Sequence, residues 1–125
     1  MSASVITTEN FRREAKKLLK KYQSLKTELG DLIDELEKEP LKGTKIGEDT
    51  YKIRLAVKSK GKGKSGGMRV ITYVDIEVKL KEEDEIVVYL MSIYDKSNTS
   101  SISNKLLNRL VKEIQDSDED DIETS

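Results

Sequence analysis

The stretch Tyr51–Lys58, YKIRLAVK, decides how the chain is read. Its residues alternate, which is the period of an extended strand. Tyr51, Ile53, Leu55 and Val57 fall on one side; Lys52, Arg54, Ala56 and Lys58 fall on the other. Such a strand needs apolar cover on its first side and presents positive charge on its second. Downstream, Arg69–Leu80 alternates again, with Val70, Thr72, Val74, Ile76, Val78 and Leu80 on one side. Arg69, Ile71, Tyr73, Asp75, Glu77 and Lys79 occupy the other. After the turn KEEDE comes Ile86–Ile93, IVVYLMSI, apolar on both sides as a central strand is. Three consecutive strands joined by hairpin connections make an antiparallel sheet.

Upstream of these strands the period changes to that of a helix. Thr8 or Asn10 caps a helix reaching about Lys21, with Phe11, Ala15, Leu18, Leu19 and Tyr22 on one stripe. Ser24 offers a second cap, with Glu28 one turn on. Leu25, Leu29, Leu32, Ile33 and Leu36 mark a second helix that stops before Pro40, the sole proline. Val5 and Ile6 are a very short first strand. Leu106, Leu107, Leu110, Val111 and Ile114 mark a final helix. The expected fold is α+β: two N-terminal helices packed on a three- to four-stranded antiparallel sheet, then a C-terminal helix. The apolar sheet face takes the helices and the other face stays cationic.

At 125 residues the chain is one domain's worth. It has no cysteine and no histidine, which removes disulfides, thiolate metal sites and the commonest neutral-pH base. Acid–base chemistry must use Lys, Tyr or carboxylates, with no metal and no cofactor expected. No apolar run approaches the ~20 residues of a membrane span. The N-terminus lacks a signal pattern, so the expected compartment is the cytoplasm. The net charge of −1 hides segregation. Residues 1–114 hold 23 Lys/Arg against 18 Asp/Glu, a net +5, whereas residues 115–125 carry −6. The domain therefore spans 1–114, with 115–125 an acidic and expectedly disordered tail. A basic body points to an anionic partner.

Between the strand that begins at Tyr51 and the one that begins at Arg69 lies KSKGKGKSGG, residues 58–67. Gly63-Lys64-Ser65 invites comparison with a P-loop, but the first glycine of that motif would fall on Lys58. The following residues also read as strand, where the motif opens a helix, so no nucleotide cofactor is expected. A glycine-rich connection with Lys58, Lys60, Lys62 and Lys64 makes a mobile positive arch beside Lys52, Arg54 and Arg69. That combination suits a flexible polyanion such as single-stranded RNA, on which Tyr73 or Tyr94 can stack.

The order and spacing of YKIRL (51–55), GMRVITY (67–73) and LMSIYDK (90–96), after a basic helical lead-in, resemble the RelE/ParE superfamily of toxins, chiefly its RelE/HigB-like branch. The resemblance covers roughly residues 5–114. It implies a metal-independent endoribonuclease (an mRNA interferase) that cuts mRNA on the ribosome, and a cognate antitoxin as partner. It also implies that the site falls on Lys52, Arg54, Arg69 and Lys96, with Tyr94 and Asp95 as neighbours. The chain departs from the pattern in two places. Ile102 stands near where RelE-like toxins often carry a tyrosine, and no histidine stands beside the last strand.

Cleavage through the RNA's own 2′-hydroxyl needs a base, cations for the phosphate and an acid for the leaving oxygen. Arginine keeps its proton and so serves as a phosphate clamp. A lysine among cations releases its proton more readily. The expected roles are Lys52 as base, Arg54 and Arg69 as clamps, and Lys96 or Tyr94 as acid, with Asp95 either orienting Lys96 or only capping the strand end. Lys58, Lys60, Lys62 and Lys64 tune RNA affinity. Two other readings stand beside this one: a ParE-like toxin that inhibits gyrase by binding, and a non-catalytic RNA- or ribosome-binding protein.

Overall fold

The structure, a computed structural model, describes residues 3–60, 67–77, 85–99 and 101–124. The first helix, α1 (Glu9–Lys21), follows strand β1 (Ser4–Thr7) after the single residue Thr8. Thr8 is extended and its hydroxyl accepts from the Phe11 N–H at 3.2 Å, a helix N-cap. The same hydroxyl donates to the Leu90 carbonyl at 2.9 Å and ties the helix start to the sheet. Glu9 in the first turn and Lys20 and Lys21 in the last match the helix dipole. Helix α2 (Leu25–Lys38) buries Leu25, Leu29, Leu32 and Leu36, one stripe at helical spacing. The expected Ser24 cap is not formed. Ser24 is already helical in its backbone, and its hydroxyl reaches Glu28 at 2.9 Å and Ser59 at 2.8 Å instead.

The remaining elements are β2 (Thr44–Gly47), β3 (Thr50–Leu55), a 3-10 turn at Lys58–Lys60, β4 (Met68–Glu77), β5 (Glu85–Asp95) and α3 (Asn104–Thr124). The sheet has five strands in the order β1-β5-β4-β3-β2. It is mixed: β1 runs parallel to β5 and every other pair is antiparallel. The three expected antiparallel strands are its centre; the short strand expected at Val5 and Ile6 is β1, which pairs parallel rather than antiparallel, and β2 is an edge strand that was not expected.

Both faces of the sheet are covered, which corrects the expectation of one helical and one bare side. On the first face Ile53, Leu55, Met68, Val70, Val74, Val88 and Leu90 pack against Phe11, Ala15 and the leucines of α2. On the second, Ile71, Tyr73, Met91 and Tyr94 pack against Leu110 and Ile114 of α3. An amphipathic α3 must bury its stripe somewhere, and Ile71 and Met91, both fully buried, are the apolar surface left to it. Among the described residues, the positive charge that β3 and β4 carry on this second face is that of Lys52, Arg54 and Arg69, which line one cavity. Helix α3 also runs to Thr124, past the boundary at residue 114 where the acidic tail was expected to be disordered. Once a helix is nucleated, adding each further residue costs little, so the acidic run extends it.

A bulge sets the phase of β5. Ile71 pairs with Ser92 but Thr72 pairs with Leu90, which leaves Met91 as the extra residue. Glu14 of α1 serves the displaced groups: its carboxylate accepts from Ser92 Oγ at 2.8 Å and from the Ile93 N–H at 3.3 Å. The bulge lets Met91 face α3 while Leu90 and Ile93 both belong to the first-face core.

A candidate anion-binding cavity at the corner of the sheet

Sheet register brings the basic residues together. Arg54 lies opposite Arg69, and Arg69 lies opposite Tyr94, so the three form one row across β3, β4 and β5. Lys52, two residues along β3, pairs with Ile71 on one side and with Thr44 of β2 on the other. Directly opposed positions stand ~5 Å apart at Cβ, so two arginines facing each other repel unless something anionic sits between them. Lys52, Arg54, Arg69 and Lys96 line one cavity of about 260 Å³ with Lys42, Gly43, Thr44 and Ile53. Five of those eight side chains are cations and none is acidic. Arg69 is buried, with Nη1 donating to its neighbour's carbonyl, Met68 O, at 3.2 Å; Arg54 and Lys96 are exposed and Lys52 is half-buried. Among the described residues no carboxylate pairs with Lys52, Arg54, Arg69 or Lys96. Among the described residues the charge of these four is thus left without a paired carboxylate and is open to an external anion.

Two residues of the cavity escaped the sequence reading. Gly43 has φ of 105°, a conformation that favours glycine, and a Cβ there would stand 2.6 Å from the Lys52 carbonyl oxygen. The tight approach draws the segment before β2 over Lys52. Lys42, the next residue back, reaches Glu35 of α2 at 2.9 Å. Its hydrogen bond to Glu35 outweighs partial desolvation and raises the Lys42 pKa, so it stays a cation. The signal for both was faint: a lone Lys-Gly pair after Pro40, followed by a strand too short to alternate.

Tyr94 does not line the cavity. It lies next to Arg69 in the row, but its ring packs under α3 with Ile71 and Met91. Its hydroxyl is buried near the Ile102 backbone, with no partner in good hydrogen-bond geometry among the described residues. Burial pushes the phenol pKa up, against the pull of the Arg69 guanidinium and the Ile102 backbone, so it holds its proton. Of the two acids named from sequence, Lys96 is the one that faces the cavity.

The other expected RNA contacts are largely redirected. Lys60 Nζ is paired with Asp95, with side-chain exposures of 8% and 4%, so its charge is already used. Asp95 also accepts from Ser97 N–H at 3.0 Å, Ser97 Oγ at 2.7 Å and Tyr22 Oη at 3.1 Å. Burial alone works to raise the Asp95 pKa, but Lys60, Ser97 and Tyr22 together outweigh it and hold the carboxyl down at about 2. Asp95 therefore binds Lys60 rather than orienting Lys96 by a side-chain contact. Tyr73 is covered by α3, tilted against Tyr89 and hydrogen-bonded by Gln115 at 3.3 Å, so it offers no face to a base. Lys58 remains exposed, its backbone N–H held by Glu28 at 2.8 Å. Lys62 and Lys64 lie outside the described residues.

Elsewhere, a larger groove of about 640 Å³ runs between α1 and α2 past Phe11, Leu19 and Ile33. Its exposed lining is mostly apolar, although Arg12, Lys16, Lys20 and Lys26 also contribute to it. Among the described residues no cluster of three or more His, Cys, Asp or Glu side chains could hold a metal ion, and no helix is long and apolar enough to cross a membrane. No family model matches the chain, and no curated protein matches its sequence.

Proposed function

We propose that the chain is an endoribonuclease toxin of the RelE/HigB-like kind, which cuts mRNA on the ribosome and is neutralised by a cognate antitoxin in the cytoplasm. The observation that carries this reading is the cavity where Lys52, Arg54, Arg69 and Lys96 converge without a carboxylate. An RNA phosphate is the natural occupant of such a site, and its charge relieves the Arg54–Arg69 opposition.

In the reaction, Lys52, once it has given its ammonium proton to solvent and stands as the neutral amine, takes the proton of the ribose 2′-hydroxyl, whose oxygen attacks the adjacent phosphorus. Arg69 and Arg54 bind the non-bridging oxygens as negative charge builds on them. The bond from phosphorus to the 5′-oxygen breaks, and Lys96 gives that oxygen a proton. The products are a 2′,3′-cyclic phosphate and a 5′-hydroxyl, with protons balanced between Lys52 and Lys96. No metal or cofactor enters the step.

The test is primer extension on a message being translated, with wild-type protein and Arg69→Ala side by side. Wild-type protein produces new 5′-ends within codons and the variant does not. If the wild type leaves the message whole while still binding ribosomes, the protein is a non-catalytic RNA-binding module. If it spares RNA and stops gyrase supercoiling, it acts as the ParE-like branch does.

A further inference from the structure

Lys96, which lines the cavity, comes directly after the carboxylate Asp95 in the chain. A carboxylate one residue away is a potential competitor for the Lys96 charge, and a paired Lys96 is lost to an external phosphate. In the structure Asp95 is filled by other donors. Oδ1 receives Lys60 Nζ, Ser97 N–H and Ser97 Oγ, and Oδ2 receives Tyr22 Oη. Lys60 is brought there by the 3-10 turn at Lys58–Lys60, whose stem is fastened to α2 through Ser59–Ser24 and the Lys58 N–H to Glu28. Its ammonium sits 5.3 Å from the centre of the Tyr22 ring, a second attraction that holds it in place. Meanwhile the Lys96 backbone is fixed by its N–H to the Gly67 carbonyl at 3.3 Å.

We propose that Lys60 is a positioning residue which, by occupying Asp95, keeps that carboxylate off Lys96 and leaves Lys96 as a free cation for RNA phosphate. This rests on reading the cavity as a phosphate site. It gives the glycine–lysine segment a function at its stem: one lysine supplies the counter-ion that spares another.

The experiment measures binding, not cleavage, on the full chain. The probe is a fluorescein-labelled, 2′-O-methylated single-stranded RNA of about eight nucleotides, within the usual span of single-strand sites and unable to react. Lys60→Met lowers affinity about tenfold, the size of one charge-assisted contact. Lys60→Arg keeps the affinity. In a Lys96→Met background, Lys60→Met has no additional effect, because its action runs through Lys96. Asp95→Asn, which removes the competing charge, holds affinity within about twofold although the ion pair is gone. A purely structural role predicts the opposite for the last two: additive losses, and a weakened Asp95→Asn protein. Either result overturns the proposal. If Lys60→Met does not fold, Asp95→Asn alone decides the matter. Wild-type protein with no affinity for the probe overturns the cavity reading itself and this proposal with it, whereas wild-type binding with an unaffected Lys60→Met overturns this proposal alone.

Discussion

Two groups of positive side chains flank the outer end of β5, and they are in opposite electrical condition. In the corner cavity, Lys52, Arg54, Arg69 and Lys96 face one another with no acid among them. At the Asp95 cluster, Lys60 is almost fully covered and matched to a carboxylate. Residue type is the same in both. What differs is whether folding brings an acid into reach. A buried pair such as Lys60–Asp95 spends its attraction on its own desolvation and adds rigidity more than stability. An unpaired cluster adds repulsion and keeps its attraction for a ligand. Counting lysines cannot separate these cases; sheet register and a contact spanning 35 residues of sequence can.

The largest way to break the contrast is at Arg69. Arg69→Ala removes the buried clamp of the cavity, and single-turnover cleavage should fall about 10²–10³-fold, as when one donor to a developing anion is lost. The fold should hold, because the variant also removes the repulsion with Arg54 across the strands. Thermal unfolding beside the cleavage assay checks both parts. A cleavage rate equal to wild type would mean that the cavity is not the reaction site.

The Asp95 cluster predicts a smaller effect of a different kind, on stability against acid. A carboxyl held at about 2 in the folded protein, against 3.8 as its ordinary value, favours the folded state when ionised. That contribution is complete above about pH 4 and disappears as the pH falls through about 2, a loss of roughly 2 kcal/mol. Asp95→Asn should flatten this part of the curve. Urea midpoints at pH 7, 4, 3 and 2 for both proteins give the comparison. Parallel curves for the two would show that Asp95 carries no such linkage.

Gly43 probes the wall of the cavity. Gly43→Ala forces a Cβ towards the Lys52 carbonyl from a backbone with positive φ, and should cost about 1–2 kcal/mol by denaturant unfolding. Anion affinity should fall as well, since relief of the clash moves Lys42 and Lys52 apart. A variant with unchanged stability and affinity would mean that the segment before β2 is free to shift.

How much of this was legible beforehand follows from the range of each interaction. The amphipathic stripes of α1 and α2 and the alternation in β3 and β4 are local signals, and they located the central sheet. Alternation also put Lys52, Arg54 and Arg69 on one side, so the core of the candidate site was readable. Strand β2 was not, because a four-residue edge strand held by register with β3 has no period of its own. The side taken by α3 was half-readable: Ile71 and Tyr73 already marked the supposedly cationic face as partly apolar. The bulge at Met91 hid the rest by shifting the phase of β5. Lys60 misled because a lysine at the start of a glycine–lysine run looks solvated, and its partner lies far along the chain.

Lys58 offers the finest test of the difference between free and committed lysines. It lies two residues before Lys60 and remains exposed, with only its backbone N–H held. If the strand of RNA leaves the cavity along the stem of the glycine–lysine segment, Lys58 meets a phosphate by charge alone. Lys58→Gln should then reduce the slope of log affinity against log salt by about 0.7, the value of one phosphate on a single strand. Cleavage of bound RNA should be unaffected, because Lys58 does not line the cavity. The same substitution at Lys60 should instead lower affinity through Lys96, with the loss reversed by adding Asp95→Asn. Equal responses at the two positions would mean that both lysines act as simple surface charge, and the distinction drawn between the two clusters would fail.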